Sequence, residues 1–193
     1  MNKKIIFILI PIIVFAVFSI NFSPEPKEEF YYIATLNGVR IPLDEYKLYL
    51  REQIITFESI GGQDIWKTTL DGVSSQVLAK QNALDSIIFV KLTLEYANNV
   101  GVYLTEENRA KALLNAQALL DSFTPEEAIH VDFDVIVNVM EESILQDRIF
   151  AQLTRNYASL EESIEVFNHI YSLWLQDAVI EKNVQVWDSI VIP

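Results

Sequence analysis

The chain has 193 residues, of which 51% are hydrophobic, so it carries enough apolar side chains for one domain with its own core. Acidic residues outnumber basic ones by 27 to 14, which argues against a nucleic acid as a partner. The sequence contains no cysteine, and this excludes disulfides, cysteine metal sites, thiolate nucleophiles and the acylated cysteine of a lipoprotein.

The N-terminus has the pattern of an export signal. Lys3 and Lys4 precede sixteen uncharged residues that begin at Ile5, and the predicted membrane segment ends at Phe22. Bulky residues at the cleavage positions favour an uncleaved single-pass anchor, whereas the shortness of the stretch favours a cleaved signal peptide. A buried N-terminal helix is the third interpretation. With either signal, we expect the rest of the chain to lie outside the cytoplasm, at the cell membrane or secreted.

Residues 23–29 combine two prolines with charged residues and show no apolar period, so they are predicted to be a tether. The folded domain is predicted over residues 30–193. It opens with a β-hairpin, because the aromatic and β-branched residues of 30–36 are followed by Asn37 and Gly38, a strong tight-turn pair, and then by a second short strand.

Most of the remaining elements are predicted helices, each with apolar residues at helical spacing. They cover residues 42–60, 74–100, 105–122, 124–127, 133–157 and 160–182. Segment 63–72 has no clear period, and the β-branched residues of 184–192 predict a final strand. Because isolated strands are unstable in water, we expect the strands at the two ends to pair. The predicted fold is therefore mainly α, with N- and C-terminal short strands in a small sheet.

The sequence offers little for catalysis. Its two histidines are His130 and His169, each with a glutamate at helical spacing, Glu127 and Glu165 respectively. A di-metal bundle would need a second Glu-x-x-His copy, so ordinary solvated histidines are the better interpretation. Metalloprotease, serine hydrolase and phosphate-loop motifs are missing from the sequence. We therefore expect no enzyme activity, no cofactor and no metal.

Aromatic residues recur along the predicted helices, and most of them are expected to form the core. Some could instead line an apolar cleft for extended, unfolded polypeptide. The candidate peptide-binding residues are Tyr49, Phe57, Trp66, Phe150 and Trp174.

Several passages resemble the chaperone module of SurA-type periplasmic chaperones and PrsA-type foldases. Residues 34–46 resemble the opening strand, Asn-Gly turn and first helix of that module, and Pro42 stands where the family usually has a capping Ser or Thr. Residues 83–107 are similar to its long second helix, the glycine that stops this helix and the capped third helix. Residues 174–192 look like its last helix and closing strand.

In that family the module precedes and follows a parvulin prolyl isomerase domain, whose glycine-rich stretch is missing from this sequence. The resemblance implies an ATP-independent chaperone that binds unfolded or newly exported polypeptides, without isomerase activity. The alternative is a membrane-anchored scaffold that uses the same fold to hold one specific partner, or itself as a homodimer. A prolyl isomerase and a di-metal enzyme are weaker alternatives.

Overall fold

The computed structural model of the protein describes residues 31–192. The predicted membrane segment, 1–22, lies outside the described residues, and so does the predicted tether, 23–29. Within the described part, no helix combines the length and the apolar character that a membrane crossing requires.

Helices dominate the described chain, and side chains cap the starts of most of them. Ser74 accepts a hydrogen bond from the backbone N–H of Val77 at 3.3 Å, and Thr105 forms a reciprocal capping box with Asn108. The helices are α1 (Leu43–Gly61), a 3₁₀ helix (Gly62–Lys67), α2 (Ser75–Glu95), α3 (Ala97–Val100), α4 (Glu106–Asp121), α5 (Pro125–Ala128), α6 (Phe133–Thr154), α7 (Leu160–Asp177) and α8 (Val184–Ser189).

The strands form two antiparallel sheets. β1 (Tyr32–Leu36) is the centre of a three-stranded sheet, between β2 (Val39–Pro42) and β5 (Ile180–Lys182). A two-stranded hairpin is made by β3 (Thr69–Leu70) and β4 (Val73–Ser74). Strands from near both ends of the chain therefore pair, and the predicted fold class is confirmed.

Asn37 joins the first hairpin to the C-terminal part of the domain. It has a φ of 51°, and Gly38 follows with a φ of 79°, as a tight hairpin turn requires. The backbone N–H of Asn37 donates to the carbonyl of Val179 at 2.8 Å, and its side-chain oxygen accepts from the N–H of Val179 at 2.9 Å. Its side-chain amide also donates to the carboxylate of Glu95 at 3.2 Å.

The main core lies between the three-stranded sheet, α1, α2 and α8. α2 is its central helix, with buried residues around most of its circumference. Ala112 and Ala116 of α4 are fully buried, and these small residues let α4 approach α6 closely. As predicted, the last long helix, α7, packs back against α2 and α6.

The C-terminal strand was predicted at the wrong place. Ile180–Lys182 forms the strand, whereas Val184–Ser189, predicted to be extended, is helical. Asn183 ends the strand by donating its backbone N–H to the carbonyl of Ile33, and its side chain caps α8 by accepting from the N–H of Val186. A helix turn buries Val186 against the sheet, and this tertiary contact overrides the β-propensity of the segment.

Other boundaries also differ from the prediction. Residues 63–72 are ordered as the 3₁₀ helix and the β3 strand, with Asp71 and Gly72 as the turn of a second hairpin. The long second helix stops at Glu95, because the N–H of Tyr96 turns to the carbonyl of Thr93, three residues back. α6 and α7 are shorter than predicted, ending at Thr154 and Asp177 rather than at residues 157 and 182.

Lys80 of α2 holds the C-terminal segment in place. Its side chain is largely buried, and its ammonium donates to the carbonyls of Trp187 at 2.8 Å and Ile190 at 3.3 Å. The same ammonium lies 5.0 Å from the ring centroid of Trp187. One lysine thereby satisfies carbonyls at the end of α8 that have no partner within the helix.

Candidate functional site

The candidate site is a group of aromatic side chains where α7 packs on α2 and α6. Phe167 of α7 is its centre and is 3% exposed. Its ring centroid lies 5.1 Å from that of Phe150 on α6, 5.7 Å from that of Phe89 on α2, and 6.2 Å from that of Trp174 two turns further along α7. All three pairs have edge-to-face geometry, which is favourable for aromatic rings.

Two further rings extend this group. Tyr171 lies edge-on to Phe89 with centroids 4.7 Å apart, and Tyr96 is 4.8 Å from Trp174. We call these six residues the aromatic cluster: Phe89, Tyr96, Phe150, Phe167, Tyr171 and Trp174. Every ring except that of Phe167 belongs to a residue that keeps part of its surface in contact with solvent. The cluster is therefore a packed aromatic group whose five outer residues stay partly accessible to solvent.

α7 is anchored mainly by one side chain. Among its residues only Ser163 and Phe167 are buried, although the helix has many apolar residues. Leu173 and Leu175 remain exposed near its C-terminal end. Val179 and Ile180, which follow the helix in sequence, are exposed as well.

The electrostatic surroundings of the cluster are acidic. The carboxylate of Asp85 on α2 faces Tyr171, and burial together with this charge raises the pKa of the Tyr171 phenol to about 12. Burial also raises the pKa of Asp85, while hydrogen bonding from Gln81 and the charge of Lys182 oppose this. Tyr171 is therefore an uncharged hydrogen-bonding group at ordinary pH.

Two of the predicted peptide-binding residues, Phe150 and Trp174, meet in this cluster, where both contact Phe167. Phe57 and Trp66 lie elsewhere and stack on each other with centroids 5.7 Å apart. Trp66 is only 8% exposed, and its indole N–H donates to a carboxylate oxygen of Glu58 at 2.7 Å. Trp66 is thus a core residue, and its role in peptide binding stays a prediction.

Tyr49, the remaining candidate, packs against the main core and lies beside a charged group on α1, α2 and α6. Burial, together with the negative charges of Glu142, Glu45 and Glu52, raises the pKa of its phenol. It belongs to a junction between helices and does not join the aromatic cluster.

Four cluster residues, Tyr96, Phe167, Tyr171 and Phe89, were not among the candidate peptide-binding residues. The hardest of them to recognise in the sequence is Phe89. It lies on α2, where apolar residues surround the helix and no stripe marks one face as special. A detectable signal was the spacing of Phe167, Tyr171 and Trp174 on α7, which places these rings on one helical face. That signal identifies one side of the cluster but not the helix it packs on.

Metal binding finds no support in the described part of the chain. Residues 31–192 hold no group of three or more histidine, aspartate or glutamate side chains placed to ligate one ion. Glu127, which the sequence pairs with His130, is engaged otherwise: one oxygen accepts from the N–H of Thr124 at 2.7 Å and the other from Arg51 at 3.3 Å. This carboxylate therefore caps α5 and anchors it to α1.

Comparison with protein families gives one match, to a family described as the SurA-like N-terminal domain, over residues 2–140. No curated protein and no solved structure matched the chain. The match takes in the first hairpin, α1 to α5 and the start of α6. Phe89 and Tyr96 lie within the matched residues, whereas the other four members of the aromatic cluster follow them in sequence.

Proposed function

The chain belongs to the family of SurA-like N-terminal domains, and we propose that it is an ATP-independent chaperone that binds unfolded, newly exported polypeptides at its aromatic cluster. The family indicates a chaperone-like role. Binding to the cluster, the location outside the cytoplasm and the lack of any enzymatic step are further parts of the proposal.

The observation that carries the proposal is the partial exposure of the five outer residues of the aromatic cluster. Each aromatic side chain presents about 150–250 Å² of surface and tolerates many apolar contacts, so such a group can hold varied sequences without reading any one of them. The half-buried rings also keep their positions when a client leaves, because they pack against the buried ring of Phe167. On binding, the client loses conformational freedom, whereas the preformed binding surface loses little.

Charge supports the same role. The chain carries a formal net charge of −13, which keeps copies of the protein apart in solution. Clients would then bind only at the uncharged rings of the cluster and at the exposed apolar residues near them. Binding and release would follow mass action, with the bound fraction set by client concentration and affinity.

The proposed location follows from residues before the described domain. Lys3, Lys4 and the hydrophobic stretch after them have the charge order of an export signal that keeps the lysines in the cytoplasm. An uncleaved segment would anchor the module to the outer face of the membrane, and a cleaved one would release it. Both outcomes bring the module to newly exported chains.

An aggregation assay tests the proposal. We expect the fragment from Glu29 onward to slow the aggregation of a denatured secreted protein at stoichiometric amounts. Trp174→Leu should weaken this protection several-fold, because it removes an accessible ring of the cluster. Trp187→Leu is the matched control, since Trp187 is also half-buried but packs against the main core beside Lys80.

Two results would count against the proposal: no protection by the parent fragment, or equal loss in both tryptophan variants at equal folded fraction. Recovery of a single stoichiometric partner from membranes would instead favour the scaffold alternative. Measurable turnover in a proline-peptide isomerisation assay would show that the proposed absence of catalysis is wrong.

A further inference from the structure

Three helices of the module meet at a buried charged group that the proposed function does not use. The ammonium of Lys91 on α2 lies 2.7 Å from a carboxylate oxygen of Glu45 on α1 and 2.6 Å from one of Glu142 on α6. We call these three residues the charged junction. It contains one cation and two carboxyl groups, so it carries an excess negative charge when both carboxyl groups are ionised.

The junction also has too few hydrogen-bond donors. The Oε2 atom of Glu142 is shielded from solvent, and no donor in the described chain reaches it. The Oε1 atom of Glu45 touches the ammonium without a well-directed hydrogen bond. A buried carboxylate oxygen without a donor is costly, and a proton on the neighbouring carboxyl group is the donor that the site lacks.

Among the described residues, Lys91 is the cation that contacts both carboxyl groups. On α1, the phenol of Tyr49 lies close enough for the charges of Glu142 and Glu45 to raise its pKa, as does the charge of Glu52 on the same helix. Asp44 and Lys47 of the same helix pair with each other at 2.7 Å. On α6, the neighbouring Glu141 is paired with Arg109 of α4 at 3.2 Å.

We propose that Glu45 and Glu142 form a buried proton-binding site beside Lys91, which couples the packing of α1, α2 and α6 to the pH around the protein. One proton is held between the two carboxyl groups, and the junction is then electrically neutral. Loss of this proton leaves one uncompensated negative charge among the three packed helices.

The electrostatics of Glu45 agree with this geometry. The pKa of Glu45 is raised from its ordinary value of 4.5 to about 7, because burial and the charge of Glu142 raise it more than the contact with the Lys91 ammonium lowers it. Burial lowers the pKa of Lys91, but its contacts with Glu142 and Glu45 outweigh this and raise it. Lys91 therefore stays charged while Glu45 titrates.

The direction of the pH effect follows from the raised pKa. Between about pH 4.5 and 7 the folded state keeps a proton that the unfolded chain has released, so lower pH stabilises the fold. This contribution to stability is complete below the pKa of Glu45 in the unfolded chain, and it disappears as pH rises through the folded pKa of about 7. In this window the unfolding constant should increase by up to about tenfold for each pH unit.

A consequence for binding rests on the proposed function. α6 carries Glu142 at the junction and Phe150 in the aromatic cluster two turns later, so looser packing of α6 at high pH should also weaken client binding. The proton site itself is independent of that function, and it is measured without any client.

The test uses the full chain in detergent and measures urea unfolding from pH 5.5 to 8. Because histidine as a residue type ordinarily changes charge between about pH 5 and 8, every protein in the test carries His130→Gln and His169→Gln. We expect the parent to lose stability as pH rises to about 7 and to level off above it, and Glu45→Gln to flatten the profile. Glu141→Gln, which removes a neighbouring carboxylate that is paired with Arg109 at the surface, should keep the slope of the parent.

A direct titration keeps the proposal testable if Glu45→Gln fails to fold. Carbon NMR of labelled glutamate side chains in the parent should show one carboxyl group with a midpoint near 7, and Glu142→Gln should move it towards its ordinary range. A parent in which every glutamate titrates near its ordinary value would overturn the proposal, as would an unchanged slope in Glu45→Gln. A parent protein that binds no client but keeps the NMR midpoint near 7 would count only against the proposed function.

Discussion

Phe167→Ala should detach α7 from the rest of the domain. This ring is 3% exposed and makes edge-to-face contacts with Phe89, Phe150 and Trp174. It is one of only two buried side chains on α7, the other being the small Ser163. The other rings of α7 that pack on a neighbouring helix belong to Tyr171 and Trp174, which are only half-buried and should compensate for little of its loss.

The expected cost is about 3–5 kcal/mol, the range for truncation of a buried phenylalanine to alanine. Phe167→Leu keeps most of the apolar volume but loses the ring contacts, each worth about 0.5–1.5 kcal/mol beyond burial, so its cost should be about half as large. Leu173→Ala is the control on the same helix. Because Leu173 is 49% exposed, its truncation should cost less than about 1 kcal/mol.

Urea unfolding followed by circular dichroism gives the three free energies of unfolding, and hydrogen exchange of the α7 amides shows whether the helix opens locally. We expect exchange in Phe167→Ala to accelerate in α7 before it does so in α2. The reasoning is refuted if Phe167→Ala costs no more than Leu173→Ala. It is also refuted if α2 and α7 lose protection together, because the helix would then be held by contacts other than this ring.

Three further substitutions test local devices of the fold. Lys80→Met should cost about 1–3 kcal/mol and release the C-terminal segment to hydrogen exchange, because it leaves two part-buried carbonyls without a donor. Lys67→Met, at an exposed ion pair, should change stability by less than about 0.5 kcal/mol. Asn37→Ala should cost about 1–2 kcal/mol in thermal unfolding, since it removes the side-chain acceptor for the N–H of Val179 and strains a positive φ, whereas Asn37→Gly should restore the part due to strain. Thr124→Ala should cost about 1 kcal/mol through the lost cap of α5 and Thr124→Ser much less, and equal losses would exclude the cap as the cause.

Local signals in the sequence determined much of the secondary structure. Ser74, Thr105 and Thr124 were predicted to start helices, and each caps one. Asn37 and Gly38 form the predicted hairpin turn. These predictions succeed because caps and tight turns are made by side chains and backbone angles within a few residues of chain.

Predictions for the C-terminal segment and the binding residues depended on contacts that the sequence does not display. Val186 has high β-propensity but is helical, since Asn183 caps a turn that buries it against the sheet. Trp66 and Trp174 look equivalent as tryptophans near helices, yet one is in the core and the other is at an accessible cluster. Burial of an aromatic ring depends on which helices surround it, and that is a tertiary property.

The sequence by itself determined the mainly helical fold, the pairing of strands from near both ends, and the family resemblance, which the family match confirms. It did so because helical period, turn pairs and capping residues are local features of the chain. Tertiary structure alone decided that Phe89 completes the aromatic cluster and that Glu45, Lys91 and Glu142 meet in one junction. The three junction residues come from three helices, so their distances and shared burial exist only after those helices have packed.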